Sequence, residues 1–225
     1  MICSAPAAFR DISHPVFRLY FISDSSLCPT EPPARPLVEA VRAGVEMVQV
    51  REKAMSAAEL LAMTREAAAA AGPVGAEVYV NGRLDIAAAA GASGVHLPSN
   101  GIPVAAVRAV APEGMRIGRS THSPAEAAAA QKDGADFVVF GPVFETPSKA
   151  RYGPPAGLSA LGETLRAVTI PVYAIGGIRP ENIGRVAALP VAGAAVISAI
   201  AMARDRAAAV DSLRAAARRA RGDSE

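Results

Sequence analysis

Chemistry in this chain is concentrated in short segments where donors, bases and glycines follow apolar runs. Gln49, Arg51 and Lys53 close one run, Asn81 the next, and His96 another; His122 lies in Gly118-Arg119-Ser120-Thr121-His122-Ser123. Thr146, Ser148 and Lys149 follow Gly141, Gly176 and Gly177 follow Ile175, and Ile197 with Ser198 ends the series. Alternate residues of an extended chain project to one side, so Gln49, Arg51 and Lys53 share a face. Two cations there suit a carboxylate or phosphate, the competing reading being a surface Arg-Glu-Lys cluster around Glu52. Paired glycines let backbone N–H groups approach an oxyanion, and a helix starting near Pro180 adds the positive end of its dipole. Gly176, Gly177, Ile197 and Ser198 therefore read as a phosphate site. Thr146, Ser148 and Lys149 occupy a long polar loop, which in a compact domain points to a ligand contact.

Of the histidines, His122 precedes a helix in a Ser/Thr-rich turn, where an imidazole can exchange protons near neutral pH. Ser123 beside it suits a helix N-cap. His96, directly after Val95, stands at a strand end but, as a lone histidine more often is, reads as a satisfied core residue. A metal site is not expected. Asn81-Gly82-Arg83 and Ser99-Asn100-Gly101 stand where paired carboxylates would be needed, and Mg²⁺ prefers anionic oxygen.

The elements that must carry these residues alternate in type. Strands are expected at Phe17 to Ser23, Met47 to Arg51, Glu77 to Asn81, Gly94 to His96, Met115 to Gly118, Phe137 to Gly141, Val172 to Ile175 and Ala194 to Ser198. Between them lie Ala-, Leu-, Glu- and Arg-rich stretches such as Ala57 to Ala71, Ser123 to Asp133 and Gly157 to Ala167, which favour helix. Eight such units predict an α/β fold, a single (β/α)8 TIM barrel over residues 16–221, with residues 1–15 an N-terminal tail. A doubly wound open sheet is the rival, disfavoured because polar residues recur at the C-terminal end of unit after unit.

Composition narrows the partners. Only 4% of residues are aromatic while 51% are apolar, so the core is built mainly from Ala, Val, Leu and Ile. A formal charge of +2 gives no broad field for nucleic acid or an anionic membrane, so any anion must be bound locally. The arginines of 205–221 neighbour alanines and read as a solvated last helix. Two cysteines supply no disulfide framework, no apolar run spans a membrane, and the first residues lack signal-peptide order, so a cytoplasmic protein is expected.

Val48-Gln49-Val50-Arg51-Glu52-Lys53, Gly94-Val95-His96-Leu97, Gly118 to Ser123, Gly141-Pro142-Val143-Phe144-Glu145-Thr146 and Ala174-Ile175-Gly176-Gly177-Ile178 resemble, in order, segments of the thiamine phosphate synthase and TenI superfamily. The resemblance implies a thiamine-biosynthetic barrel whose small-molecule partner is a thiazole phosphate, in a homo-oligomer. The superfamily's synthase branch holds Mg²⁺ and a pyrimidine pyrophosphate with an Asn-Asp-Arg motif and an acidic residue after a His-Leu-Gly-Gln segment. Here Gly82 replaces the first carboxylate, and Pro98-Ser99-Asn100-Gly101 lacks the second.

By resemblance the chain is therefore expected to be a TenI-type thiazole tautomerase, an isomerase without metal or cofactor. His122 would move a proton from ring carbon two to the exocyclic carbon, with Gly176, Gly177, Ile197 and Ser198 on the phosphate. Arg51, Lys53 or Lys149 would hold the carboxylate, with Gln49, Asn81, Thr146 and Ser148 also lining the site. One alternative is a synthase releasing pyrophosphate, with Mg²⁺ on Asp85 or Glu145. Another is a non-catalytic regulator that binds thiazole or thiamine phosphates.

Overall fold

The structure, a computed structural model, describes residues 16–146 and 154–222. Its strands are β1 (Arg18–Ile22), β2 (Met47–Val50), β3 (Glu77–Asn81), β4 (Gly94–Leu97), β5 (Arg116–Thr121), β6 (Phe137–Phe140), β7 (Val172–Ile175) and β8 (Gly193–Val196). Each pairs in parallel with the next, and β1 pairs with β8 to close the barrel. The expected single (β/α)8 barrel is the observed fold.

The period of two sorts the side chains into two layers. Leu19, Phe21, Val48, Val50, Val78, Val80, Val95 and Leu97 face outward into the core beneath the helices. Tyr20, Met47, Tyr79, Phe137, Val139, Tyr173 and Ala195 fill the barrel itself. The scarce aromatics are thus spent where a wide barrel needs volume, with Tyr79 and Phe137 edge-to-face at 5.1 Å and Phe137 and Tyr173 at 5.6 Å. Glu77 closes the N-terminal end, accepting from Arg18 at 2.9 Å and from Arg116 at 3.1 Å.

The covering helices are α1 (Arg35–Arg42), α2 (Ala57–Ala71), α3 (Leu84–Ala90), α4 (Val104–Arg108), α5 (Pro124–Lys132), α6 (Gly157–Ala167), α7 (Ile183–Ala187), α8 (Ser198–Ala201) and α9 (Arg206–Arg221). Local signals start two of them. Ser56 and Glu59 form a reciprocal capping box at α2, and the Ser123 hydroxyl accepts from Glu126 N at 3.2 Å at α5, as expected for an N-cap.

Three boundaries differ by two or more residues from the sequence-based expectation. β5 runs on through Arg119, Ser120 and Thr121 because these pair in register with Val138, Val139 and Phe140. β8 stops at Val196, and Ile197 caps α8 instead. The helix expected near Pro180 begins at Ile183, since Asn182 holds the preceding turn by accepting from Arg179 N and donating to Gly177 O, both at 2.8 Å. No helix among the described residues is long and apolar enough to cross a membrane.

Candidate active site

The barrel mouth is reached by following the inward-facing positions of each strand toward its C-terminal end. On β2 that sequence runs from Gln49 to Arg51. Gln49 lies inside the barrel, 1% exposed, and donates to the Tyr20 hydroxyl at 2.8 Å, so its amide braces the interior beneath the mouth. Arg51 is half-buried above it, while Lys53 is exposed at the rim. On β3 the inward series ends at half-buried Asn81, in register with His96 on β4.

His96 is buried inside the barrel, with Nε2 at 2.8 Å from the Ser120 hydroxyl and Nδ1 without a partner among the described residues. Burial, reinforced by the charges of Arg119 and Arg51, pushes its pKa down to about 3, so the ring is neutral at working pH. This is a core histidine that presents Ser120 upward. His122, two residues on and one inward position higher, is exposed at the mouth. Its Nδ1 meets the Gly141 carbonyl and its Nε2 lies 3.2 Å from the Ser99 hydroxyl. A carbonyl only accepts, so Nδ1 carries the proton of the neutral ring and Nε2 keeps a lone pair toward Ser99 and the mouth.

At the end of β7, Gly176 and Gly177 have φ of +104° and +64°. A Cβ on Gly176 would lie 2.5 Å from Pro142 Cα, and one on Gly177 would lie 2.3 Å from the Glu145 carbonyl. Val143 and Phe144 donate to the carbonyls of Ile175 and Gly176 at 2.8 and 3.0 Å. The glycine pair is therefore required first to let the loop after β6 lie across the end of β7. Ile197 and Ser198 stand beside it at the start of α8. Thr146 is half-buried on that loop; Ser148 and Lys149 lie outside the described residues.

Two side chains at the mouth, Ser99 and Ser120, escaped the sequence reading. Ser120 shares the period-two face of Gly118 and His122, a signal visible once β5 is extended. Ser99 carried no such signal, because it is brought to His122 by a loop that Arg119 ties down at the carbonyls of Ser99 and Ile102, both at 2.8 Å.

The donor set for Mg²⁺ is poor. Among the described residues no group of three or more His, Cys, Asp or Glu side chains can hold a metal ion. The Asp85 carboxylate is gripped by Arg83 at 2.9 and 2.7 Å, and that of Glu52 by serines. Of the two carboxylates expected for the ion, Asp85 is thus engaged by Arg83, and Glu145 is exposed on the loop after β6.

The closed barrel and the polar face at the C-terminal ends of its strands define a (β/α)8-barrel enzyme. The chain belongs to the thiamine monophosphate synthase family, whose model matches residues 19–200. It is 44% identical over 184 residues to a putative thiamine-phosphate synthase of Geobacter sulfurreducens, covering 82% of this chain and 86% of that protein. It is 43% identical over 175 residues to a thiamine-phosphate synthase of Methanoculleus marisnigri, covering 78% and 83%. Among solved structures, thiamine phosphate pyrophosphorylase from Pyrococcus furiosus superposes with a TM-score of 0.83 at 32% identity, covering 92% of this chain and 98% of that one.

These relatives overturn the expected thiazole tautomerase, and the isomerase class with it. The expectation leaned on two short loops, around Gly82 and Ser99, whereas the similarity to synthases extends over most of the barrel.

Proposed function

We propose that this chain is a transferase of thiamine biosynthesis that joins a thiazole phosphate to hydroxymethylpyrimidine pyrophosphate and releases pyrophosphate. The observation that carries the reading is the run of relatives named thiamine-phosphate synthase at 37 to 44% identity over most of the chain. In this reaction the bond from the pyrimidine methylene to the pyrophosphate oxygen breaks, pyrophosphate leaves with the electron pair, and a bond to the thiazole forms.

The geometry supports a division of labour across the mouth. Half-buried Arg51, with no carboxylate partner among the described residues, and Lys53 at the rim would meet the pyrophosphate. The Gly176–Gly177 turn and the start of α8 at Ile197 and Ser198 would receive the thiazole phosphate. Asn81 and His122, the latter through the Nε2 lone pair, would orient the organic rings between them, and Thr146, on the loop that lies across the end of β7, would stand near the phosphate. Gln49 would act from below by fixing Tyr20. No step is assigned to Mg²⁺, because Asp85 is engaged by Arg83 and Glu145 by itself is a poor donor set for the ion. The phosphorylated substrates of this reading support a cytoplasmic location.

The test is turnover of the purified chain with both substrates, following pyrophosphate release with and without Mg²⁺. Stoichiometric pyrophosphate and thiamine phosphate are expected. Binding of either substrate without turnover would replace this reading with a non-catalytic phosphate-binding role.

A further inference from the structure

Glu52 sits in sequence between the two rim cations, yet its carboxylate makes no ion pair among the described residues; four hydrogen bonds from serines hold it instead. Oε1 accepts from the Ser23 hydroxyl at 2.6 Å and from Ser25 N at 3.2 Å, and Oε2 accepts from Ser25 N at 3.0 Å and from the Ser25 hydroxyl at 2.7 Å. Ser23, 2% exposed at the end of β1, in turn accepts from Arg51 N at 3.0 Å. A hydroxyl has one proton to donate. The carboxylate claims it, and the oxygen's lone pairs are thereby turned toward the Arg51 N–H. The Ser23 N–H adds a rung by donating to Gln49 O at 2.9 Å.

Alternation along the segment sends Glu52 toward the β1 loop and Arg51 the opposite way, over the barrel opening. We propose that Glu52 is a positioning residue that, through Ser23 and Ser25, locks the backbone carrying Arg51 and so sets how Arg51 meets an anionic group of the substrate. The proposal rests on Arg51 being an anion contact, as the proposed function has it. The segment lies past the end of β2, where ladder bonds no longer fix it, and the serine–carboxylate relay takes over that task.

The experiment uses the full chain and inorganic pyrophosphate as the probe. Calorimetric Kd and steady-state kcat and KM are compared for the parent, Glu52→Gln, Glu52→Asp, Arg51→Ala and the Glu52→Gln/Arg51→Ala pair. Gln keeps the shape of Glu but turns an amide donor toward donors. Kd and KM are expected to rise about tenfold, the worth of hydrogen bonds to a charged group, with kcat within about threefold. Amide exchange at Ser25 and Arg51 should quicken while the other strands keep their protection. Glu52→Asp, which keeps the charge, should recover part of the affinity. In the Arg51→Ala background Glu52→Gln should cost nothing further.

Unchanged affinity in Glu52→Gln, or an equal loss with and without Arg51, overturns the proposal and makes Glu52 a plain loop staple. A parent that binds no pyrophosphate overturns it together with the anion role of Arg51. A parent that binds pyrophosphate but transfers nothing overturns the proposed reaction alone.

Discussion

His96 shows how a single side chain can serve the mouth without meeting a ligand. Desolvation, then the charges of Arg119 and Arg51, hold its pKa near 3, whereas in the unfolded chain it takes up a proton as pH falls below about 6.5. The folded state therefore binds fewer protons than the unfolded state between these values. The stability this contributes is fully present above the unfolded pKa and is lost as pH falls toward the folded one. From pH 6.5 to 5 the loss from this group is at most ~2 kcal/mol. Urea unfolding at the two pH values should show that loss in the parent. Replacing His96 with Gln, which does not titrate, should flatten the dependence; an equal slope in both proteins would mean that His96 does not sense its burial. Glu31 and Glu39, whose carboxyls are held below the ordinary range by Arg206 and Arg35, titrate beneath this window.

The loops after β6 and β7 form a unit that glycine makes possible. Gly176→Ala would force a Cβ to within 2.5 Å of the Pro142 backbone at a φ of +104°, so both strain and displacement follow, and a cost of about 3 kcal/mol is expected. Gly114→Ala is the control: its φ is +78° with nothing within 4 Å, so only the left-handed backbone is penalised, at about 1 kcal/mol. Chemical denaturation of both variants checks the difference, and equal costs would mean that the β6 loop yields freely. The strands themselves were legible, because β-branched runs covered on both faces leave a strong pattern. Their ends were less so. Arg119-Ser120-Thr121 reads as a turn by composition, and only pairing with β6 keeps it extended. The glycine pair announced a special backbone but not its cause, since Pro142 and Glu145 reach it from a different unit. Glu52 looked like part of a surface charge cluster because its partners, Ser23 and Ser25, lie 29 and 27 positions earlier in the chain. The family was carried by many segments and could be read; the reaction was judged from two loops and was misread.

Barrel closure joins the two ends of the chain, and Arg206 is where side chains reinforce it. At the first turn of α9 it is 6% exposed, donates to both oxygens of Glu31 at 2.9 Å, to Glu39 on α1 at 2.6 Å, and to the Ala201 carbonyl at 3.1 Å. Arg35 adds a second cation to Glu39 at 2.7 Å. The residues bridged are 175 and 167 positions apart, so these bonds secure contacts that form only when the last unit meets the first. One of its groups, Nε, is buried without a partner among the described residues, so the arginine does not gain everything its burial costs. Replacing Arg206 with Met keeps most of the apolar stem and removes the charge, leaving Glu31 and Glu39 with some contact with water and with Arg35 alone, at 3.7 and 2.7 Å. Breaking a fully buried pair costs about 3–5 kcal/mol; partial exposure of Glu31 and Glu39 reduces the expected loss to about 2 kcal/mol. Urea unfolding at pH 7 measures it. If the loss comes from the two carboxylates left with Arg35 alone, adding Glu31→Gln and Glu39→Gln to Arg206→Met should recover much of it, whereas a loss that persists in the triple variant would trace the effect to packing of the arginine stem.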